Sequence, residues 1–443
     1  MLSASASATA FKPIFPYPNV ARPIASSPSP VSPATTVAKA ARHPRELAIL
    51  LTLAAMQFTH ILDFMIMMPL GPQFMRIMAL DPRHFAFLVS AYTFAAAASG
   101  FVCAFWIDGF GRKRALLTMY GSFIVATALC GLAPNYEMLL LARVVAGLFG
   151  GVIGALVMTI VADVVPYSLR ARGTALVASA FSLAAVLGVP LGLWIAAHYS
   201  WRAPFLALAA LSVAVGALAW RELPALDANV GKAPRQRPVT QLRAIFGVPN
   251  HLTAFAFILC LMLSVFTVVP FIAPYNVANV GITEADLPYI YFAGGLTTLF
   301  TAQLIGYLAD KYGKKRLFTI VAFMSLVPII VTTHLGRVPF GWVVATTVVF
   351  FVLVPGRFGP AMALVTGSVS PRLRGSFMSF NASVQQLGSG SAAFIAGLII
   401  GHAADGSLTR YDWVGFVAAG FTLLAVWLAW RIQIVPDGSR GPE

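Results

Sequence analysis

A chain of 443 residues with 59% apolar and only 10% charged side chains, and a mean hydropathy of +0.82, has too little polar surface to cover a water-soluble globule. Its net charge of +15 does not point to nucleic acid, because the cations sit in short turns between apolar runs and form no patch beside aromatics. Cys103, Cys130 and Cys260 all lie inside apolar runs, with neither zinc-ligand spacing nor the pattern of a disulfide framework.

Residues 1–45 are rich in Ala, Ser and Pro and carry Lys12, Arg22, Lys39, Arg42 and Arg45, with no acid before Glu46. They contain no apolar core of signal-peptide length. An acid-poor, Ser-rich make-up also suits an organelle transit peptide, but proline at this density opposes an amphipathic helix, and a disordered cytoplasmic tail is expected.

From Glu46 onward the hydropathy predicts twelve spans, each near the length of about 20 residues that a bilayer core requires. The first six run near 46–71, 84–106, 115–133, 136–161, 173–197 and 203–221. After a polar linker at 222–248, with Lys232, Arg235, Arg237 and Arg243 among Pro, Gly and Gln, the second six run near 249–273, 286–309, 316–335, 339–368, 375–400 and 411–431. Residues 432–443 form a second tail. The fold class expected is an all-α membrane protein of two six-helix bundles.

The bundles are related by internal duplication. Ala104 to Arg114 (AFWIDGFGRKR) returns 202 positions later as Gly306 to Arg316 (GYLADKYGKKR), and Pro72/Pro274 and Arg170-Ala-Arg172-Gly/Arg372-Leu-Arg374-Gly keep the same offset. A chance echo of one basic turn would not hold register over several helices. Of the 30 Lys and Arg residues, 23 fall in one alternate set of connections and tails and 5 in the other, namely Arg76, Arg83, Arg202, Arg337 and Arg410. That asymmetry predicts both termini in the cytoplasm.

The turn between spans 2 and 3 holds Asp108, Gly111, Arg112 and Lys113; its copy holds Asp310, Gly313, Lys314 and Lys315. Positive-inside anchoring explains the cations but not an aspartate and a glycine at fixed spacing in both halves. On these residues the chain resembles the major facilitator superfamily of secondary transporters, whose turn is written G-x-x-x-D-R-x-G-R-R. The second copy matches more fully, with Gly306 and Lys311, whereas Ala104 and Gly109 depart from the pattern in the first. Helix 1, with HILDFMIMMPLGP, is similar to the branch of drug/proton antiporters and arabinose-efflux-type permeases. The resemblance implies no enzymatic activity and no cofactor; it implies a monomeric carrier in a bacterial inner membrane, exchanging a small molecule, with protons, by alternating access.

A latch is expected at the turns. Asp108 and Asp310 sit at helix ends where the dipole disfavours a carboxylate, so they should pair with Arg170 or Arg172, and with Arg372 or Arg374. Span 4 carries Arg143, buried about seven residues deep, followed by Gly147, Gly150, Gly151 and Gly154. A cation there faces a cavity or a partner, and the resemblance gives it a part in coupling. Gln57, His60 and Asp63 share one face of helix 1. Asp63 is the only deep carboxylate, and it lies nearly level with Arg143, which makes the pair the candidate for proton coupling with His60 as a relay. In span 5, Gly188, Pro190 and Gly192 predict a bend at a bundle contact. Arg357, between Pro-Gly and Gly-Pro in span 10, together with Gln303, Asn381 and Gln385, are candidates to line a substrate cavity or to bond between helices. No metal-ligand spacing or nucleophile constellation is present.

A proton-coupled exporter of a small neutral or amphipathic molecule is the function expected. An uptake symporter or uniporter, and a transport-inactive sensor or assembly factor with the same fold, remain open on sequence.

Overall fold

The computed structural model of the chain describes residues 44–106, 111–166, 169–224, 238–371 and 373–435. The first half comprises α1 (Pro44–Ile66), short α2 (Gly71–Ile77), α3 (Pro82–Trp106), α4 (Arg112–Leu132), α5 (Tyr136–Val164), α6 (Arg170–Leu183), α7 (Val189–His198) and α8 (Arg202–Glu222). The polar connection that follows contains α9 (Pro238–Phe246). The second half comprises α10 (Pro249–Phe266), one-turn α11 (Ile272–Tyr275), α12 (Leu287–Tyr312), α13 (Lys314–Thr333), α14 (Phe340–Gly356), α15 (Phe358–Gly367), α16 (Arg374–Ile399) and α17 (Tyr411–Arg431). A small hairpin, β1 (Gly401–His402) and β2 (Leu408–Thr409), joins the last two helices.

Among the described residues, eleven helices, some built from two or more of these segments, are long and apolar enough to cross a membrane. The twelfth is α16, 26 residues long, whose Ser376, Ser379, Asn381, Ser383, Gln385, Gln386, Ser389 and Ser391 dilute its apolar character. The protein is therefore an all-α membrane protein of twelve spanning helices. Local chemistry sets several ends: the Asn135 side chain accepts from the Met138 amide to cap α5, and Gly313, at φ 93°, makes the reversal between α12 and α13 that a side chain would strain.

The two halves meet along two seams. α3 lies against α16 with Gly397 over Ala86, Gly390 over Thr93, and Gly100 beside Ser383, and Gly295 of α12 sits under the backbone of Ala185 and Val186. Apolar burial gives helices little reason to associate in lipid, so contacts this close are what hold them.

The apolar core is divided in a telling way. At the end opposite the motif turns, one cluster takes in both halves, from Phe74, Phe85 and Leu139 to Phe271, Ile290 and Tyr411. At the motif end, Ile49, Leu116, Ile160 and Leu223 belong to a core of the first half alone, and Ile245, Phe318, Phe377 and Ile432 to a core of the second half alone. An ion pair between halves, Arg76 to Glu284 at 2.9 Å, also stands at the jointly packed end.

Candidate functional site

Helix α1 presents Gln57, His60 and Asp63 at intervals of three, one turn apart on a face turned into the first half. Exposure falls along it, from a half-buried Gln57 to His60 at 8% and Asp63 at 0%. α5, which runs the opposite way, brings Arg143 level with Asp63 as helical rise requires. The Arg143 Nη1 donates to Asp63 Oδ2 at 2.8 Å and to the Asp63 carbonyl at 3.3 Å. Thr127 of α4 donates to Asp63 Oδ1 at 3.3 Å. The Arg143 guanidinium also stacks 4.4 Å above the ring of Tyr92 from α3, so four helices contribute to one buried ion pair. Removed from water, such a pair is stabilised only while both members are present.

The glycines of α5 make this packing possible. A Cβ at Gly147 would collide with the Tyr92 backbone, and one at Gly151 would stand 2.7 Å from the Cα of Ala96. Gly150 lies beneath the Tyr92 hydroxyl and the His60 ring. Neither ring nitrogen of His60 has a hydrogen-bond partner among the described residues, nor do Tyr92 Oη and Gln57 Oε1.

The fifth spanning helix carries a turn the sequence does not announce. The turn Ala184–Gly188 is π-helical, and Pro190 follows it inside the first turn of α7, where its missing N–H costs little. Gly188 and Gly192 receive Leu62 and Ile66 of α1, while the π turn itself meets α12 of the other half.

The motif turns differ from expectation. Asp108 and Arg372 lie outside the described residues, as does the Arg170 side chain. Asp310 is exposed and makes no ion pair among the described residues, where Arg374 is half-buried and Arg172 exposed on its own helix. The motif end is where the two halves keep separate apolar cores among the described residues. Gly111 holds φ −59° and needs no glycine, unlike Gly313.

What the basic residues of the turns do is local. Arg112 Nε pairs with Asp163 Oδ2 at 2.6 Å, joining the start of α4 to the end of α5. Asp163 escapes a search for deep carboxylates because it lies two residues beyond the apolar span; an acid opposite a basic turn was the available signal. Lys113 donates to the carbonyls of Trp220 and Leu223, at 2.8 and 2.5 Å, and Lys315 repeats the arrangement on Trp430 and Ile432, at 3.5 and 2.6 Å. Each lysine thus neutralises the C-terminal carbonyls of the last helix of its own half. Lys314, the counterpart of Arg112, is exposed.

Of the remaining candidates, Arg357 takes the second of its two expected roles, bonding between helices. It is 1% exposed and turns into the second half, where Nη1 donates to Ser325 Oγ at 3.2 Å and Thr422 Oγ1 at 3.0 Å, Nη2 to Ser264 Oγ at 2.8 Å, and Nε to the Val354 carbonyl at 3.2 Å. The break between α14 and α15 aims the residue inward, so it pins four helices and lines no opening between the halves. Gln303 is exposed on α12, and Gln385 is half-buried beside Met362. Asn381 is fully buried with neither side-chain atom partnered among the described residues.

Twelve spanning helices in two halves, with a buried acid–arginine pair in the first, match a known family over nearly the whole spanning region: the model of the Major Facilitator Superfamily fits residues 53–391 and 255–443. The chain belongs to the major facilitator superfamily. Members of this superfamily are transporters and not enzymes. Among its relatives are the "Inner membrane transport protein YdhP" of Escherichia coli, 26% identical over 78% of this chain and 86% of that one. Another is the "Probable sugar efflux transporter" of Mannheimia succiniciproducens, 23% identical over 80% of this chain and 85% of that one. Two solved superfamily folds superpose closely. A bacterial homologue of the human lysosomal transporter Spinster, in an inward-facing and unoccupied conformation, gives a TM-score of 0.70 at 15% identity, covering 90% of this chain and all of that one. The nucleoside transporter NupG gives 0.69 at 13% identity, covering 88% of this chain and 99% of that one. At such identities the likeness is one of fold.

Proposed function

We propose that this transporter exports a small neutral or amphipathic molecule in exchange for protons, and that Asp63 with Arg143 is the coupling pair. The observation that carries the reading is the pair itself: a carboxylate at 0% exposure held 2.8 Å from an arginine at 1%, in the lipid-level interior of one bundle. A charge in that position is costly, and carriers retain such groups where a proton or substrate must be handled. While the contact with Arg143 is made the two charges offset one another; when rotation of a helix or arrival of substrate loosens it, a proton taken up by Asp63 removes a lone buried charge. One proton entering across about 100 mV supplies roughly 2.3 kcal/mol, enough for a gradient on the order of 50-fold in an uncharged solute.

The cation asymmetry supports placing the motif end, with both termini, in the cytoplasm. On that orientation the separate cores at the motif end and the shared core opposite correspond to an inward-facing state, in which a solute enters from the cytoplasm. The name of the sugar efflux relative favours export over uptake and includes a sugar among the solutes to test. A bacterial inner membrane and a monomeric unit fit the same reading.

Flux measured in proteoliposomes tests it. Labelled sugars and amphipathic dyes, supplied on the motif side, should move against their gradient only when the opposite side is the more acidic. Protein-dependent movement indifferent to the pH gradient would point to a uniporter, and no movement of any solute to an inactive member of the fold.

A further inference from the structure

Four buried polar atoms beside the coupling pair have no hydrogen-bond partner among the described residues: Gln57 Oε1, both ring nitrogens of His60, and Tyr92 Oη. Buried polar atoms are almost always satisfied, by protein or by ordered water making two to four bonds. His60 and Gln57 lie along the line of α1 that leads from Asp63 toward the motif end, in order of decreasing burial, and the Tyr92 hydroxyl of α3 stands beside His60. They converge over glycines of α5. A methyl group on Gly150 would meet Tyr92 Oη and stand 3.2 Å from His60 Nε2, and one on Gly154, a turn further along, would stand 3.9 Å from the Gln57 amide. The buried titratable and charged groups of the first-half helices around His60 are Asp63 on its own helix, Tyr92 on α3, Tyr120 and Cys130 on α4, and Arg143 on α5; α6, α7 and α8 bring no buried one among the described residues. Tyr120 is engaged with Thr59 at 2.8 Å and Arg143 with Asp63, so the unpartnered imidazole is the group placed to carry a proton.

We infer that the proton of Asp63 passes to and from the motif end through His60 and Gln57, with ordered water bonded to these side chains and to Tyr92 as the carrier between them. The inference rests on the proton-coupling reading and adds its route and its side. The step is balanced: the Asp63 O–H bond breaks as one imidazole nitrogen is protonated, and the other nitrogen releases its proton to water beside Gln57, so the ring ends neutral and one proton has moved. His60 and Tyr92 act as relay and positioning groups; the residue that titrates is Asp63. A site for a solute is excluded by size, because at Gly150 the Tyr92 hydroxyl and the His60 ring already stand where a methyl group would go.

The experiment follows the proton itself and needs no transported solute. Purified protein in nanodiscs is subjected to a rapid pH jump, and the carboxyl C=O stretch is recorded by infrared spectroscopy, with Asp63→Asn identifying the Asp63 band. In His60→Gln the band should reach the same final amplitude but about a hundredfold more slowly, the usual contribution of a positioned acid–base group. Tyr92→Phe, which removes one oxygen and keeps the ring over Arg143, should slow it as well. Gly150→Ala should do the same by pushing the Tyr92 hydroxyl and the His60 ring aside, and imidazole in the buffer should restore much of the rate in His60→Gly. Unchanged rates in His60→Gln and Tyr92→Phe would overturn the route while leaving the coupling pair intact. A spectrum in which Asp63→Asn removes no band would instead overturn the coupling reading.

Discussion

Lys315 Nζ donates to the carbonyl of Ile432 at 2.6 Å, tying the first turn of α13 to the end of α17, and Lys113 makes the same tie between α4 and Leu223 of α8. The duplicated turn thus closes each bundle upon itself. Both lysines are half-buried, and a hydrogen bond involving a charged group is worth about 1.5–3 kcal/mol. Lys315→Met should lower the melting midpoint by several degrees in detergent, and Lys113→Met similarly. As the two sites belong to different halves, their effects should add within about 0.5 kcal/mol. A double variant no less stable than either single one would show that the ties are not independent.

Gly147 and Gly420 are both helical, and their substitutions should diverge. At Gly147 a Cβ would drive into the Tyr92 backbone, which cannot yield as a side chain could. Gly147→Ala should cost about 1–3 kcal/mol by overpacking. At Gly420 nothing lies within 4 Å, and Gly420→Ala should gain up to about 1 kcal/mol from helix propensity. Thermal unfolding of the two variants in one detergent decides between them.

Arg357 and Arg143 are equally buried but differently partnered. Arg357 is held by hydroxyls, and those have other bonds to keep: Ser264 with Thr422 at 2.6 Å, and Ser325 to the Ala322 carbonyl at 2.7 Å. Arg357→Met should therefore be close to neutral in stability. Arg143→Met leaves Asp63 buried without its partner and should cost about 3–5 kcal/mol, much of it recovered by adding Asp63→Asn. Chemical denaturation or retained expression of the three variants would sort them; an Arg357→Met protein as damaged as Arg143→Met would mean that the charge itself is needed in the second half.

At the jointly packed end, Arg76 and Glu284 join the halves through an ion pair that is largely exposed on the arginine side. Its loss in Glu284→Gln should change stability by only about 0–1 kcal/mol. Since the pair exists only while that end is closed, the same substitution should raise the labelling rate of a cysteine placed at Val277, half-buried in that shared core. A labelling rate equal to that of the parent would argue that the apolar cluster alone keeps the end shut.

Much of the architecture could be read from the chain because a bilayer leaves few choices. Apolar runs of spanning length, the repeat from Asp108 to Asp310 and the segregation of cations each follow from the cost of placing polar groups in lipid. The contact of Asp63 with Arg143 was legible for the same reason: two deep charges on antiparallel helices at equal depth have no cheaper arrangement. Facing was harder to foresee. Arg357 sits in a loosened segment, as its Pro-Gly and Gly-Pro neighbours indicate, yet hydroxyls on three other helices, invisible to local reading, draw it into the bundle. The ties of Lys113 and Lys315 to Leu223 and Ile432 likewise connect residues more than a hundred positions apart. The β-hairpin before α17 had a local signal in Asp405-Gly406, a turn dipeptide that was outweighed by the surrounding apolar runs.

The most direct test of the coupling pair is export by Asp63→Asn in inverted membrane vesicles, using a labelled solute already shown to need the protein for uptake. With the vesicle lumen made acidic, the parent protein should accumulate the solute, while the variant should accumulate none yet still exchange it down its own gradient. Accumulation by Asp63→Asn at the parent's level would contradict the account, because no other carboxylate among the described residues is buried within the spanning helices.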